Sequence, residues 1–133
     1  MSLDVSNKDR SYLFGRLLAV LEHVEKSTYG PEDTRETNAV RLHNAFVHHP
    51  MYTWKVIEDS LNPYYQQLSP GAREYHKKII QEITEILDSN YSAETLNRSL
   101  EETYLLGYYL QRAEFYKKKD AKETNKNEVE ETK

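Results

Sequence analysis

The chain has 133 residues, with 18 Lys or Arg against 22 Asp or Glu, and it contains no cysteine. That length accommodates one domain, and the lack of cysteine excludes disulfides and thiolate metal sites. Only four Gly and four Pro favour a few long helices over a many-turned β sandwich. No apolar run is long enough to span a membrane and no secretion leader opens the chain, so we expect a cytoplasmic protein with no membrane contact.

The first half of the chain predicts three helices. Apolar residues recur at three- and four-residue steps until Tyr29-Gly30-Pro31 stops the first helix. Asp33 or Thr34 is expected to cap a second helix that runs to the break before Pro50. Pro50 suits the first turn of a third helix. Asn62-Pro63 should end or kink that helix, because a mid-helix proline costs about 3 kcal/mol or more.

The second half predicts two longer helices with a short turn between them. A Ser-Pro pair begins the fourth helix, and its inner face is expected to carry Tyr75, Ile79, Ile83, Ile86 and Leu87. Ser99–Glu102 is a capping box that should begin the fifth, with an apolar stripe of Leu100, Tyr104, Tyr108 and Phe115, widened by Leu105, Leu106 and Leu110. The sequence therefore predicts an all-α, compact bundle of about five helices over residues 1–119, followed by a disordered charged tail over residues 120–133.

Two glycines fall inside predicted helices. Gly15 lies in the first helix and Gly107 in the last, and each costs about 1 kcal/mol relative to alanine in a helix interior. A close approach of two helices would account for both positions. We therefore expect the first and last helices to cross at these glycines.

No pattern of catalytic or metal-ligating residues emerges. Without cysteine there is no thiol nucleophile, and no nucleophile elbow, phosphate-binding loop or dinucleotide fingerprint is present. His43 stands five residues before His48 and six before His49, whereas helical ligand pairs usually sit four apart. We expect no catalytic residue, no metal, no cofactor and no small-molecule substrate. A ligand-binding bundle enzyme is the least favoured interpretation.

Cations cluster in the sequence although the formal net charge is −4. One group flanks the histidine-rich break, a second lies on the fourth helix and a third near the end of the fifth. Such stripes can bind phosphates with release of counterions, and an ordinary solvated surface is the alternative interpretation. The 11 tyrosines likewise fit base stacking or, more commonly, core packing with the hydroxyl at the rim.

Two segments resemble a known family. Residues 12–22, Tyr-Leu-Phe-Gly-Arg-Leu-Leu-Ala-Val-Leu-Glu, are similar to the opening of the C-terminal region of the type I-C CRISPR Cascade large subunit. Residues 107–112, Gly-Tyr-Tyr-Leu-Gln-Arg, resemble that region's closing motif. Between them, Arg41 precedes Pro50 by nine residues and Trp54 follows it by four, similar to the family's Arg-Tyr … Pro … Phe stretch with Trp in place of Phe.

The resemblance covers about residues 10–116 and implies a non-catalytic helical small subunit. In this family the same region is also translated from an internal start as a separate protein. Its implied partners are the large subunit and the backbone subunits of the crRNA-guided complex, together with the target and non-target DNA strands of the R-loop. Base pairing with the guide would read sequence, so contacts made by this subunit would be to the DNA backbone.

Eight cations are the candidate nucleic-acid-binding residues. Three of them, Arg16, Arg41 and Arg112, match positions of the family motifs. The other five follow from charge clustering alone: Arg35, Lys55, Arg73, Lys77 and Lys78. The competing hypothesis is a helical scaffold that docks protein neighbours and touches no nucleic acid.

Overall fold

A computed structural model describes the backbone of residues 2–30 and 32–131, with side chains as far as residue 117. Within this part of the chain there is no strand, and the helices are α1 Arg10–Lys26, α2 Asn38–Arg41, α3 His43–His48, α4 Pro50–Asp59, α5 Asn62–Gln67, α6 Pro70–Asn90, α7 Ala93–Leu96 and α8 Thr103–Glu131. The predicted all-α class is confirmed. The number rises from five to eight because the second predicted helix is split into α2 and α3, and because the short segments after Asn62-Pro63 and before the last helix form α5 and α7. The tail predicted over residues 120–133 lies outside the residues described with their side chains.

Helix α1 forms the centre of the bundle. Asp9 caps it, its carboxylate accepting the amide hydrogen of Tyr12 at 3.0 Å. Every residue from Ser11 to Glu22 is buried, so α1 is surrounded on all sides, unlike an amphipathic surface helix with one apolar stripe. The core packs against it from α3, α4, α6 and α8. None of the described helices is long and apolar enough to cross a membrane.

Helices α1 and α8 meet at the two glycines. A Cβ atom on Gly15 would overlap the backbone carbonyl of Tyr104, and one on Gly107 would overlap the carbonyl of Tyr12. Each glycine therefore faces the backbone of the other helix. The predicted crossing at Gly15 and Gly107 is confirmed.

Helix α2 begins later than the sequence predicts. Asp33 and Thr34 were the expected caps, but Thr37 caps the helix. Asp33 instead accepts hydrogen bonds from the backbone and side chain of Arg35. Buried Glu25 of α1 accepts the amide hydrogen of the first residue of α2 at 3.1 Å. A tertiary contact thus places the start of this helix.

The capping box predicted at Ser99–Glu102 is wrong. Helix α8 begins after this segment, whose amides are used elsewhere. The amide of Leu100 donates to the carbonyl of Val47 at 2.8 Å, and the next amide donates to the hydroxyl of Ser11 at 2.8 Å. These bonds hold the segment in non-helical form across the ends of α1 and α3.

The buried stripes of α6 and α8 also differ from the prediction. Helix α6 buries Ile83 and Leu87 as expected, but Tyr75 is exposed, and the other buried members are His76 and Ile80. On α8, Leu105 and Leu106 are each 41% exposed. The crossing turns the glycine-bearing edge of α8 toward α1. As far as residue 117, the buried side chains of α8 are therefore Tyr104, Gln111 and Phe115.

Candidate nucleic-acid interface

Arg16 lies inside the bundle. Its side chain is only 4% exposed, and Nε donates to Oε1 of Gln111 at 3.0 Å, joining α1 to α8. Burial lowers the pKa of its guanidinium, since a charged group loses hydration there. The family motif made Arg16 a candidate for nucleic-acid contact, whereas its burial and its bond to Gln111 give it a role in joining two helices.

Three other predicted arginines are exposed or half-buried and are bound by their own chain. Nε of Arg73 donates to the carbonyl of Tyr65 at 3.0 Å, which anchors the turn between α5 and α6. Arg35 forms an ion pair with Asp33 at 2.7 Å. Arg41 donates to the side chain of Asn38, one turn earlier. A guanidinium has five N–H donors, so each arginine keeps donors for a further acceptor.

Lys77 of α6 lines a cleft between α4, α5 and α6, and Lys55 lies on α4 one turn before Glu58, which also lines the cleft. This cleft has a volume of about 390 Å³ and is lined by Trp54, Glu58 and Lys77 among others. Nζ of Lys77 lies 5.1 Å from the centroid of the Tyr65 ring, within range of a cation–π contact. The charges of both lysines act to lower the pKa of Glu58, although burial raises it more. The cleft thus combines a cationic rim with a carboxylate.

The remaining candidate cations lie at other clefts. Lys78 borders a space of about 330 Å³ that it shares with Arg16 and two glutamates, Glu82 and Glu114. Arg112 packs over the ring of Tyr116, 5.5 Å from its centroid. That ring borders a cleft of about 730 Å³, to which Arg35 also contributes. The cations are therefore distributed over different parts of the surface, and the structure does not join all eight into one patch.

Buried polar contacts that sequence patterns did not reveal connect the helices. The Tyr108 hydroxyl of α8 donates to the buried carboxylate of Glu22 on α1. Burial, followed by this bond, raises the pKa of Tyr108. Its neighbour Tyr109 is 56% exposed. Of these adjacent rings, Tyr108 packs against the core and Tyr109 faces outward.

A histidine pair links α1 to α6. Nδ1 of His76 lies 2.7 Å from the carbonyl of Ala72, to which it must donate. Its Nε2 lies 2.7 Å from Nδ1 of His23, and Phe115 stacks on His23 with centroids 4.1 Å apart. Burial lowers the pKa of His76. Within the described residues no three His, Asp or Glu side chains are grouped to hold a metal ion.

A protein-family model, described as CRISPR-associated protein (Cas_Csd1), matches residues 1–116 of this bundle. The chain belongs to the Cas_Csd1 family. The matched residues include the crossing of the two glycine-bearing helices and all eight candidate cations. The described core is therefore formed by helices of a Cas_Csd1 protein. A comparison with curated proteins finds no match.

Proposed function

We propose that this Cas_Csd1 chain is a non-catalytic small subunit of a type I-C crRNA-guided surveillance complex in the cytoplasm. In this role it contacts the DNA strands of the R-loop through their phosphates and stabilises target binding and complex assembly. Its partners are the large subunit, the backbone subunits and the target and non-target strands. The family match over residues 1–116 is the observation that carries the proposal.

The surface of the bundle supports contact with the DNA backbone. Lys55, Lys77 and Lys78 are exposed, and their long side chains reach outward from α4 and α6. Each phosphate that they neutralise releases counterions, and for single strands the slope of log K against log salt steepens by about 0.7 per contact. Arg35, Arg41, Arg73 and Arg112 have further donors for phosphate oxygens. The net charge of −4 predicts weak binding by the isolated chain and stronger binding in the complex.

A protein-only scaffold is the second candidate function. Large apolar or aromatic side chains stand exposed on two surfaces: Tyr52 on α4, 70% exposed, and Leu105, Leu106 and Tyr109 on α8. Side chains of this type are enriched at protein interfaces. They favour docking to neighbouring subunits, which is compatible with DNA contact elsewhere on the bundle.

Charge reversal distinguishes the two functions. Lys55→Glu with Lys77→Glu is introduced into the assembled complex, and Lys8→Glu, an exposed lysine before α1, is the matched control. We expect the double variant to assemble, to bind target DNA more weakly and to lose about 1.4 from the salt slope. A lower yield of assembled complex, with unchanged DNA retention by the complex that does assemble, would instead support the scaffold function. Arg73 is left intact because it anchors the turn between α5 and α6.

A further inference from the structure

The cleft between α4, α5 and α6 contains a buried acceptor without a donor. Among the described side chains, Oε2 of Glu58 is the buried polar atom that has no hydrogen-bond partner. Buried polar atoms in native proteins are nearly always paired. Burial, and then the neighbouring Asp59, raise the pKa of Glu58 despite the two nearby lysines. This cleft therefore suits a ligand that brings N–H donors to the carboxylate.

We propose that this cleft binds an unpaired guanine base of single-stranded DNA, with Glu58 accepting its N–H donors, Trp54 stacking on the ring and Lys55 and Lys77 contacting the flanking phosphates. The inference rests on the proposed function and adds a base preference to the backbone contacts described above.

The walls of the cleft are built by helical spacing. Trp54 and Glu58 are one turn apart on α4, so the indole and the carboxylate share a face. Nε1 of Trp54 donates to Sδ of Met51 at 3.3 Å, which orients the half-buried indole. The opposite wall carries Lys77, Gln81 and Thr84 of α6, again on one helical face. A volume of about 390 Å³ is within the usual range for small-ligand pockets.

The carboxylate selects among the bases by its hydrogen-bonding chemistry. Guanine presents N1–H and the 2-amino group side by side, which match the two oxygens of a carboxylate. Adenine and cytosine place an acceptor nitrogen beside their amino group, and thymine flanks its single N–H with two carbonyls, so each brings an acceptor toward Glu58. Oε2 of Glu58 is buried in the free chain, so the carboxylate must turn toward the cleft to meet both donors. No hydrogen bond among the described residues fixes it, and its terminal torsion is broad.

The rim of the cleft favours a nucleotide over a cationic protein side chain. An arginine or lysine from a partner would satisfy Glu58 but would have to approach Lys55 and Lys77, whose charges repel it. A nucleotide supplies donors from its base and negative charge from its phosphates. Base stacking on aromatic rings together with basic side chains along the backbone is the usual combination in single-strand binding.

The test measures binding of the full chain to labelled oligo(dT) of about 12 nucleotides with one central substitution. Fluorescence anisotropy at low salt compares dG, dA, dC and inosine, which lacks the 2-amino group, with the unsubstituted strand. We expect dG to bind about tenfold more tightly than dA, dC or dT, and inosine to fall between. Glu58→Gln should remove the dG preference, while the exposed control Glu74→Gln should keep it. Lys77→Ala should weaken binding of every strand.

One further variant and one further measurement protect the test from a folding artefact. Glu58→Asp keeps the charge but withdraws the carboxylate by one methylene, and we expect it to lose the dG preference as well. Thermal unfolding should place Glu58→Gln at or above the wild-type Tm, since it removes a desolvated charge.

Each contrary result has a distinct meaning. Equal, salt-dependent binding of all five strands overturns the guanine cleft and leaves the proposed function standing. A dG preference that persists in Glu58→Gln also overturns it, as does failure of the chain to bind any strand. The proposed function fails separately, if the lysine charge reversals leave DNA retention by the assembled complex unchanged.

Discussion

Alanine at either crossing glycine should destabilise the bundle, against the direction of helix propensity. By propensity alone, Gly15→Ala and Gly107→Ala would each gain about 1 kcal/mol. The added methyl group, however, would lie 2.8 Å from the carbonyl carbon of Tyr104 in the first case and 2.9 Å from that of Tyr12 in the second. These atoms belong to backbone, so no side-chain rotation relieves the overlap. The two helices must separate.

The size of the effect follows from these opposing terms. Overpacking a core costs about 1–3 kcal/mol and occasionally more, and moving two helix backbones apart belongs at the upper end, about 3–4 kcal/mol. After the propensity gain, a net loss of about 2–3 kcal/mol remains. At about 3–6 °C per kcal/mol for a domain of this size, the Tm should fall by roughly 6–18 °C.

Thermal unfolding followed by circular dichroism measures this effect directly. Gly71→Ala is the matched control because Gly71 also lies in a helix, α6, but a Cβ there meets nothing within 4 Å. It should leave the Tm unchanged or raise it slightly. A Tm at or above that of the wild type for both Gly15→Ala and Gly107→Ala would refute the close approach of α1 and α8.

Three other substitutions test the buried polar contacts. Tyr108→Phe should cost about 1–3 kcal/mol of stability, because it leaves a buried carboxylate on α1 without its donor. Tyr109→Phe should not change the Tm, and equal Tm values for the two variants would contradict a stabilising role for the Tyr108 hydroxyl. Since burial lowers the pKa of His76 below 6.5, the unfolded chain takes up a proton first and stability should fall as the pH drops below about 6.5. His76→Gln should reduce that fall relative to His48→Gln, an exposed control, and a parallel pH profile would count against it. Arg16→Ala should lower the Tm of the free chain. An unchanged Tm together with weaker DNA binding would instead indicate that Arg16 contacts DNA.

Local signals predicted much of the secondary structure. Ser69 followed by Pro70 begins α6, and Pro50 begins α4, as the sequence indicated. Asn62-Pro63 separates α5 from α4. Caps and prolines act through hydrogen bonds and torsions within a few residues, so neighbouring residues suffice to recognise them. The family motifs were also recognisable, because they are contiguous runs of sequence.

The glycine crossing was predictable for a different reason. A glycine in a helix interior lowers the stability of that helix, so its presence needs a tertiary explanation. Because two helices each contain one, the sequence indicated that these two helices meet. The sequence did not show which side chains the crossing would bury. The register of α8 on α1 exposes Leu105 and Leu106 and encloses Gln111, which then binds Arg16.

The sequence by itself determined the helical class, most helix boundaries and the family, because each depends on residues close together in the chain. Only the tertiary structure decided where α2 and α8 begin. The first amide of α2 binds Glu25, and two amides of the segment before α8 bind Val47 and Ser11. It also separated the candidate cations and placed Lys77 of α6 in one cleft with Glu58 of α4. Charge patterns along a chain report composition, but whether a cation is buried, paired or free to bind phosphate depends on side chains that meet it from distant helices.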